Sequence, residues 1–501
     1  MAKTDQTTAK DPLAESSSAG LRPTDGLAGA GADGLCFLSA RELLRRYRAR
    51  SLSPVEVTRA ILDRIANVNP HVNALYHIDA ERALAAARDA ERRWDRGAPM
   101  GALDGVAVTL KDSIRVAGMP SPNGTRALAD QPEEPQDSPV TARLREHGAI
   151  IVGKTTMPDF GMIPSGVSSL HGVTRNPWNQ ERNSGGSSSG AGAAVASGLG
   201  PLAVGSDLGG SIRIPAAFCG IVGLKPSYGR VPIADPWPAL VAGPMARSVA
   251  DVALLLGVIS GPDARDYTSL PWDDRDYLDE IDANVCGLRI GLLTDMGFGV
   301  PMQPEIRSLI EAAAGVLASL GAIVTPMPPI FDTDPEPDFD RMVQAYGWAD
   351  FGALPSERQA LVLPEIADWC RRGERLAATD LTRAAVGIGQ TRQRVIAACA
   401  AYDYVISPTM AIEPYAAELP WPAGGTQHIP FCFPFNLSEQ PALSLCCGFT
   451  ASRLPVGLQI VGKRFADAGV LRMARAYEAE RPAWPAMPWR DARGAAAATL
   501  R

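Results

Sequence analysis

The sequence predicts an α/β protein built on a sheet that contains parallel pairs. Three observations carry that reading. Strand-like segments at Gly105–Lys111, Ala149–Val152, Leu288–Leu293, Ala322–Thr325, Tyr404–Ser407 and Leu454–Gly462 recur along the chain. Helical patterns, such as Pro304–Leu320 ended by Gly321, stand between them, with turn signals at the junctions. Length and apolar content are ample for a large core, with no internal repeat.

Residues 1–34 are mostly Ala, Gly, Ser, Thr and Asp, a composition that predicts a mobile tail, and 35–490 are expected to form one domain. Two capping boxes open the first helices, Ser39–Glu42 and Ser53–Glu56, the second with Pro54 at the first helical position. Val57, Ala60, Ile61 and Ile65 give the latter a buried face, and an alanine-rich helix follows over about Asp79–Arg96. The first clear strand ends in Lys111-Asp112, whose side chains should leave on opposite faces. Ser138-Pro139 opens a helix stopped by Gly148. Ser248, with Asp251 three residues on, opens another after Gly243–Arg247. From about 328 to 378 the pattern loosens into proline, acidic and aromatic residues, which reads as a surface cover. A helix over Asp380–Ala401 then leads back to the sheet.

Composition narrows the function. A net charge of -7 without a basic run argues against a nucleic-acid partner. No apolar run reaches the ~18 residues of a membrane span. Eight sparse cysteines, without CxxC or Cys/His ligand spacing, read as reduced thiols of a cytoplasmic protein. Gly148–Thr155 matches the phosphate-loop pattern GxxxxGK[ST], but β-formers fill the space between its glycines and Pro158 opposes a following helix. A strand is the better reading.

The chemistry concentrates in 183–226, NSGGSSSGAGAAVASGLGPLAVGSDLGGSIRIPAAFCGIVGLKP, with Asp207, Arg213 and Lys225 as its only charged side chains. Gly186–Gly190 fits G-x-S-x-G, but that elbow needs a downstream histidine, and only His428 follows. Without histidine a serine nucleophile needs another base. A lysine serves only when neutral, which burial favours. Lys111, Lys154 and Lys225 all qualify on chemistry alone.

GGSSSG, GSDLGGSIRIP and GLKP resemble the signature of the amidase signature family. GVAVTLKD, TRNPW, GPMARSVAD, FNLSEQPA and LPVGLQIVG extend the likeness over about Leu38–Glu478. Ser189 stands where the family often has glycine. The resemblance implies a single large mixed sheet flanked by many helices. It implies Ser211 as nucleophile, Ser187 as bridging serine after a cis Gly186–Ser187 peptide, and Lys111 as base. The amides of Leu208, Gly209, Gly210 and Ser211 would form the oxyanion hole, with Ser188, Asp207 and Arg213 bracing the loop. Phe160, Gly161, Met162 and Ile163, together with the aromatic cover, would line the substrate pocket.

The implied activity is hydrolysis of aryl or alkyl amides, carbamates included, through an acyl-enzyme, with no metal or cofactor. The alternative is an amidotransferase A-type subunit that releases ammonia inside a tRNA-dependent complex. The partner is then a small-molecule amide or carbamate, with neither nucleic acid nor membrane, and a homodimer is compatible with that picture.

Overall fold

A computed structural model describes residues 32–482 except 280, 423, 424 and 426–428. Eleven strands form one sheet: β1 Leu75–Ile78, β2 Ala107–Lys111, β3 Ile150–Thr155, β4 Leu202–Asp207, β5 Val222–Lys225, β6 Val241–Ala246, β7 Arg289–Leu293, β8 Ile323–Met327, β9 Tyr404–Pro408, β10 Ala442–Phe449 and β11 Pro455–Val461. Their spatial order is β1-β3-β2-β4-β6-β5-β10-β11-β9-β7-β8. β3, β2 and β4 run parallel, as do β9, β7 and β8, whereas the strands between β4 and β9 pair antiparallel. The sheet is therefore mixed, as the family likeness implies, rather than parallel throughout. Helices cover it, and no described helix is long and apolar enough to cross a membrane.

Local chemistry accounts for most boundaries. Ser53 and Glu56 close a complete capping box on helix Pro54–Val72. At helix Ala40–Arg48 only half of the expected box forms, because Ser39 Oγ accepts from Glu42 N while the Glu42 carboxylate turns to Arg45 and Arg46. The phosphate-loop look-alike is buried strand: Ile150–Thr155 is inaccessible along its length, and Lys154 Nζ donates to Ile114 O at 2.7 Å.

Several elements differ from the sequence reading. β1, β4, β5, β6 and β10 have no counterpart among the predicted strands. Gly243–Arg247 belongs largely to β6 instead of a lead-in to a helix, since Pro244 is accommodated within a strand of small residues. The stretch 328–378 folds into helices Glu336–Phe351, Ser356–Gln359 and Pro364–Glu374. It is more than a cover, because Phe351, Val362, Ile366 and Cys370 make a small core with Ala127 and Ile163. Most of the 1–34 tail lies outside the described residues, although a helical turn starts at Ala32. All eight cysteines are free, and only Cys286 is exposed.

Candidate active site

β2 and β4 are parallel neighbours, with Leu110 opposite Val204, so Lys111 at the end of β2 and Ser206-Asp207 at the end of β4 arrive at the same edge. Helix Ser189–Ala196 packs beneath them. It is built from Ser, Gly, Ala and Val because it has no room for more: a Cβ on Gly190 would sit 2.2 Å from Ala74 O. The turn entering that helix carries Ser187, and the Gly186–Ser187 peptide is cis.

Lys111 Nζ donates to Ser187 Oγ at 2.7 Å and to Ser206 Oγ at 2.9 Å. Its side chain is 1% exposed. Burial pushes the ammonium down to about 7, against the opposing pull of Asp207 and Asp112. Lys111 and Asp112 form no ion pair with each other and have separate partners. Asp112 accepts from Tyr76 Oη at 3.1 Å and from the amides of Asn123 and Gly124 at 3.3 and 2.6 Å.

After β4 the chain turns through Leu208–Ile212 into helix Arg213–Cys219. Asp207 and Arg213, both fully buried, brace this turn through paired bonds of 3.0 Å. Burial by itself would raise the Asp207 carboxyl, but Arg213 and Asn436 hold it well below the ordinary carboxylate range. Arg213 also donates to Cys432 O and Gln459 Oε1, and Asn436 donates to Asp207 Oδ1 at 2.8 Å. The same carboxylate accepts from the amides of Gly210 at 2.8 Å and Ile212 at 3.1 Å. This corrects one expectation: the Gly210 amide is committed to Asp207, which leaves Leu208, Gly209 and Ser211 at the cavity wall.

That cavity, of about 410 Å3, brings Lys111, Ser187, Ser206 and Ser211 to one surface. Phe160, Gly161, Met162 and Ile163 form one wall; Phe339, Tyr346 and Trp369 form another.

Known proteins resemble this chain over most of its length. The amidase family model matches residues 56–471. The chain belongs to the amidase signature family. It is 34% identical to an acylamidase of Rhodococcus erythropolis over 89% of this chain and 96% of that one. It is 35% identical to the A-type subunit of the glutamyl-tRNA(Gln) amidotransferase of Thermosynechococcus vestitus, over 88% and 98%. A bacterial aryl acylamidase of the same family superposes with a TM-score of 0.83 at 30% identity, covering 88% of this chain and 96% of that one. This amidase-signature chain is accordingly an enzyme acting on carbon–nitrogen bonds.

Within this amidase fold, the rival serine is occupied elsewhere. Ser188 Oγ donates to Ser206 O at 3.1 Å and accepts from Ser206 N at 3.2 Å, and Ser188 N donates to Ser211 O. Its proposed partner His428 lies outside the described residues. The other two candidate lysines are buried but meet neither Ser187 nor Ser211: Lys154 reaches Ile114 O and Ser121 Oγ, and Lys225 reaches Pro226 O. The four predicted pocket residues all line the cavity, yet among the aromatics of 328–378 Phe331, Trp348 and Phe351 do not. Sequence reasoning missed Ser206 as a second holder of Lys111, Asn436 and Gln459 as the braces of Arg213, and Trp237 as a wall. The landmarks GSD, FNLSEQPA and LPVGLQIVG carried the first three, and only the fold gives them roles.

Proposed function

We propose that the chain hydrolyses aryl and alkyl amides, carbamates included, as a serine amidase. Ser211 Oγ attacks the carbonyl carbon, and its proton passes through Ser187 Oγ to neutral Lys111. The amides of Leu208, Gly209 and Ser211 receive the negative charge that develops on the carbonyl oxygen. Collapse of the tetrahedral intermediate breaks the C–N bond, and Lys111 returns the proton through Ser187 to the leaving amine. Water then attacks the acyl-Ser211 ester by the same route, releasing the acid and restoring the Ser211 hydroxyl.

The observation that carries this reading is the 2.7 Å contact between Lys111 Nζ and Ser187 Oγ, buried in the cavity that Ser211 also lines. The apolar wall Phe160–Ile163 and the rings facing it support an aryl or alkyl substituent. Intact-mass and peptide analysis after incubation with a fluorophosphonate should place one adduct on Ser211, and Ser211→Ala should abolish both label and turnover. An adduct on Ser188 would refute the assignment.

Similarity to amidotransferase A-type subunits favours a second reading, release of ammonia from glutamine within a complex. The cavity disfavours it. Glutamine presents an α-carboxylate, and Lys111 is the only cation among the described lining residues. Turnover of a simple anilide by the isolated chain supports the first reading; turnover only of glutamine and only with partner proteins supports the second.

A further inference from the structure

The charge of the cavity is one-sided. Besides Lys111, the proposed neutral base, its charged lining consists of Asp235, Glu336, Asp340 and Asp350. Three of these come from one helix. Over Glu336–Phe351 the spacing places Glu336, Phe339, Asp340, Val343, Tyr346 and Asp350 along one face, and all six line the cavity. Phe339 lies beside the oxyanion turn, 3.5 Å from where a Cβ on Gly209 would stand. Asp350 is eleven residues further on, about 16 Å of helical rise. The carboxylates thus extend from the reacting centre to the far rim.

They are held differently. Asp340 accepts from Gln344 Nε2 and Trp369 Nε1, both at 2.6 Å, which fixes the carboxylate and the Trp369 ring together. Arg341 and Arg372 act on it from outside the cavity. Asp235 is already paired with Arg115. Asp350 is exposed and has no partner among the described residues, whereas burial pushes the Asp340 carboxyl up. Across from the helix, Trp237 meets Tyr346 edge to face with centroids 3.8 Å apart. Rings and carboxylates therefore share the walls of a concave site that opens onto a nucleophile.

We propose that this cavity selects amides carrying an organic cation, such as a protonated amine, at the end remote from the scissile bond. The cation settles at the rim beside Asp350, an exposed carboxylate with no partner among the described residues, with the Tyr346 ring one helical turn away on the same face. A substrate ending in a carboxylate meets like charge instead. The inference rests on the amidase reading for its substrate class, but the cation preference can be measured without turnover.

The test is calorimetric titration of the full chain with 4-phenylbutylamine as its ammonium, 4-phenylbutanol and 4-phenylbutyrate. The ammonium should bind at least about tenfold more tightly than the carboxylate, with the alcohol between them. Asp350→Asn should shrink that ratio, and 0.5 M salt should narrow it. Equal affinities, a preference for the carboxylate, or a ratio untouched by Asp350→Asn overturns the proposal. In parallel, anilides bearing the same three chain ends should be hydrolysed with kcat/KM in the same order. Hydrolysis without that order sinks the cation preference and leaves the amidase reading intact. The binding order without hydrolysis of any anilide leaves the cation site standing and sinks the amidase reading.

Discussion

Replacing Lys111 by methionine should separate catalysis from stability, because the base proposed for the reaction is also a group the fold pays to bury. Its ammonium falls from an ordinary 10.5 to about 7 through burial, a shift equivalent to about 5 kcal/mol. For the rate, about a tenth of Lys111 is neutral at pH 6 and about nine tenths at pH 8. The wild-type kcat for an anilide should therefore rise about tenfold across that interval and level off above it.

For stability, the folded pKa lies below the unfolded one, so between about 7 and 10.5 the unfolded chain binds the extra proton. The penalty is present in full below pH 7 and fades as pH rises toward 10.5. Lys111→Met removes it but leaves Ser187 Oγ and Ser206 Oγ without their donor, a loss of about 1–2 kcal/mol. The variant should thus be inactive yet more stable than wild type at pH 6 by a net of about 3 kcal/mol. That advantage should be gone by about pH 9, where the remaining penalty is about 2 kcal/mol. Calorimetric melts and anilide assays at pH 6, 7, 8 and 9 on both proteins give the two curves. A flat wild-type rate, or a variant whose stability difference from wild type does not vary with pH, would refute the claim that Lys111 is a desolvated base.

Three further outcomes follow from the geometry. Lys154→Met should keep the alkaline rise in rate, since Lys154 reaches Ile114 O and Ser121 Oγ instead of Ser187; a lost limb would make Lys154 the base. Arg213→Met strands the fully buried Asp207 carboxylate and should cost about 3–5 kcal/mol together with most activity, read as a fall in Tm and in the rate of fluorophosphonate labelling. Gly161 has φ +69°, and an added Cβ would stand 3.2 Å from Ser187 Oγ. Gly161→Ala should therefore lower kcat by tenfold or more through the disturbed Lys111–Ser187 contact, with a smaller change in KM; the reverse split would mean that Gly161 serves only to admit substrate.

Much of this protein is written locally. Serine caps, prolines at first helical positions and glycines at helix ends place most boundaries within a residue or two, because each satisfies backbone groups only a few positions away. Strands such as Ile150–Thr155 are legible as apolar runs, which also explains why the GxxxxGK[ST] look-alike could be dismissed. The helix Glu336–Phe351 was not legible: Pro337, Asp338 and Asp340 blur its apolar period, and its lining face is half acidic because it looks into a cavity instead of a core.

The glycine- and serine-rich signature pointed to the residue types of the site, and its resemblance to a family chose Ser187, Ser211 and Lys111 among them. Spacing alone could not rank Lys111 above Lys154 and Lys225, since all three are buried and pushed down in the same sense. What distinguishes them is which oxygen each ammonium meets, and that depends on β2 lying parallel to β4 so that Lys111 arrives beside Ser206 and Ser187. Likewise Asn436 and Gln459 reach Arg213 from more than 200 positions away, and Asp207 withdraws the Gly210 amide from the cavity. The sequence determined which groups were available to react; the register of distant strands decided which of them touch, because hydrogen bonds form only within about 3 Å and chain separation says nothing about that distance.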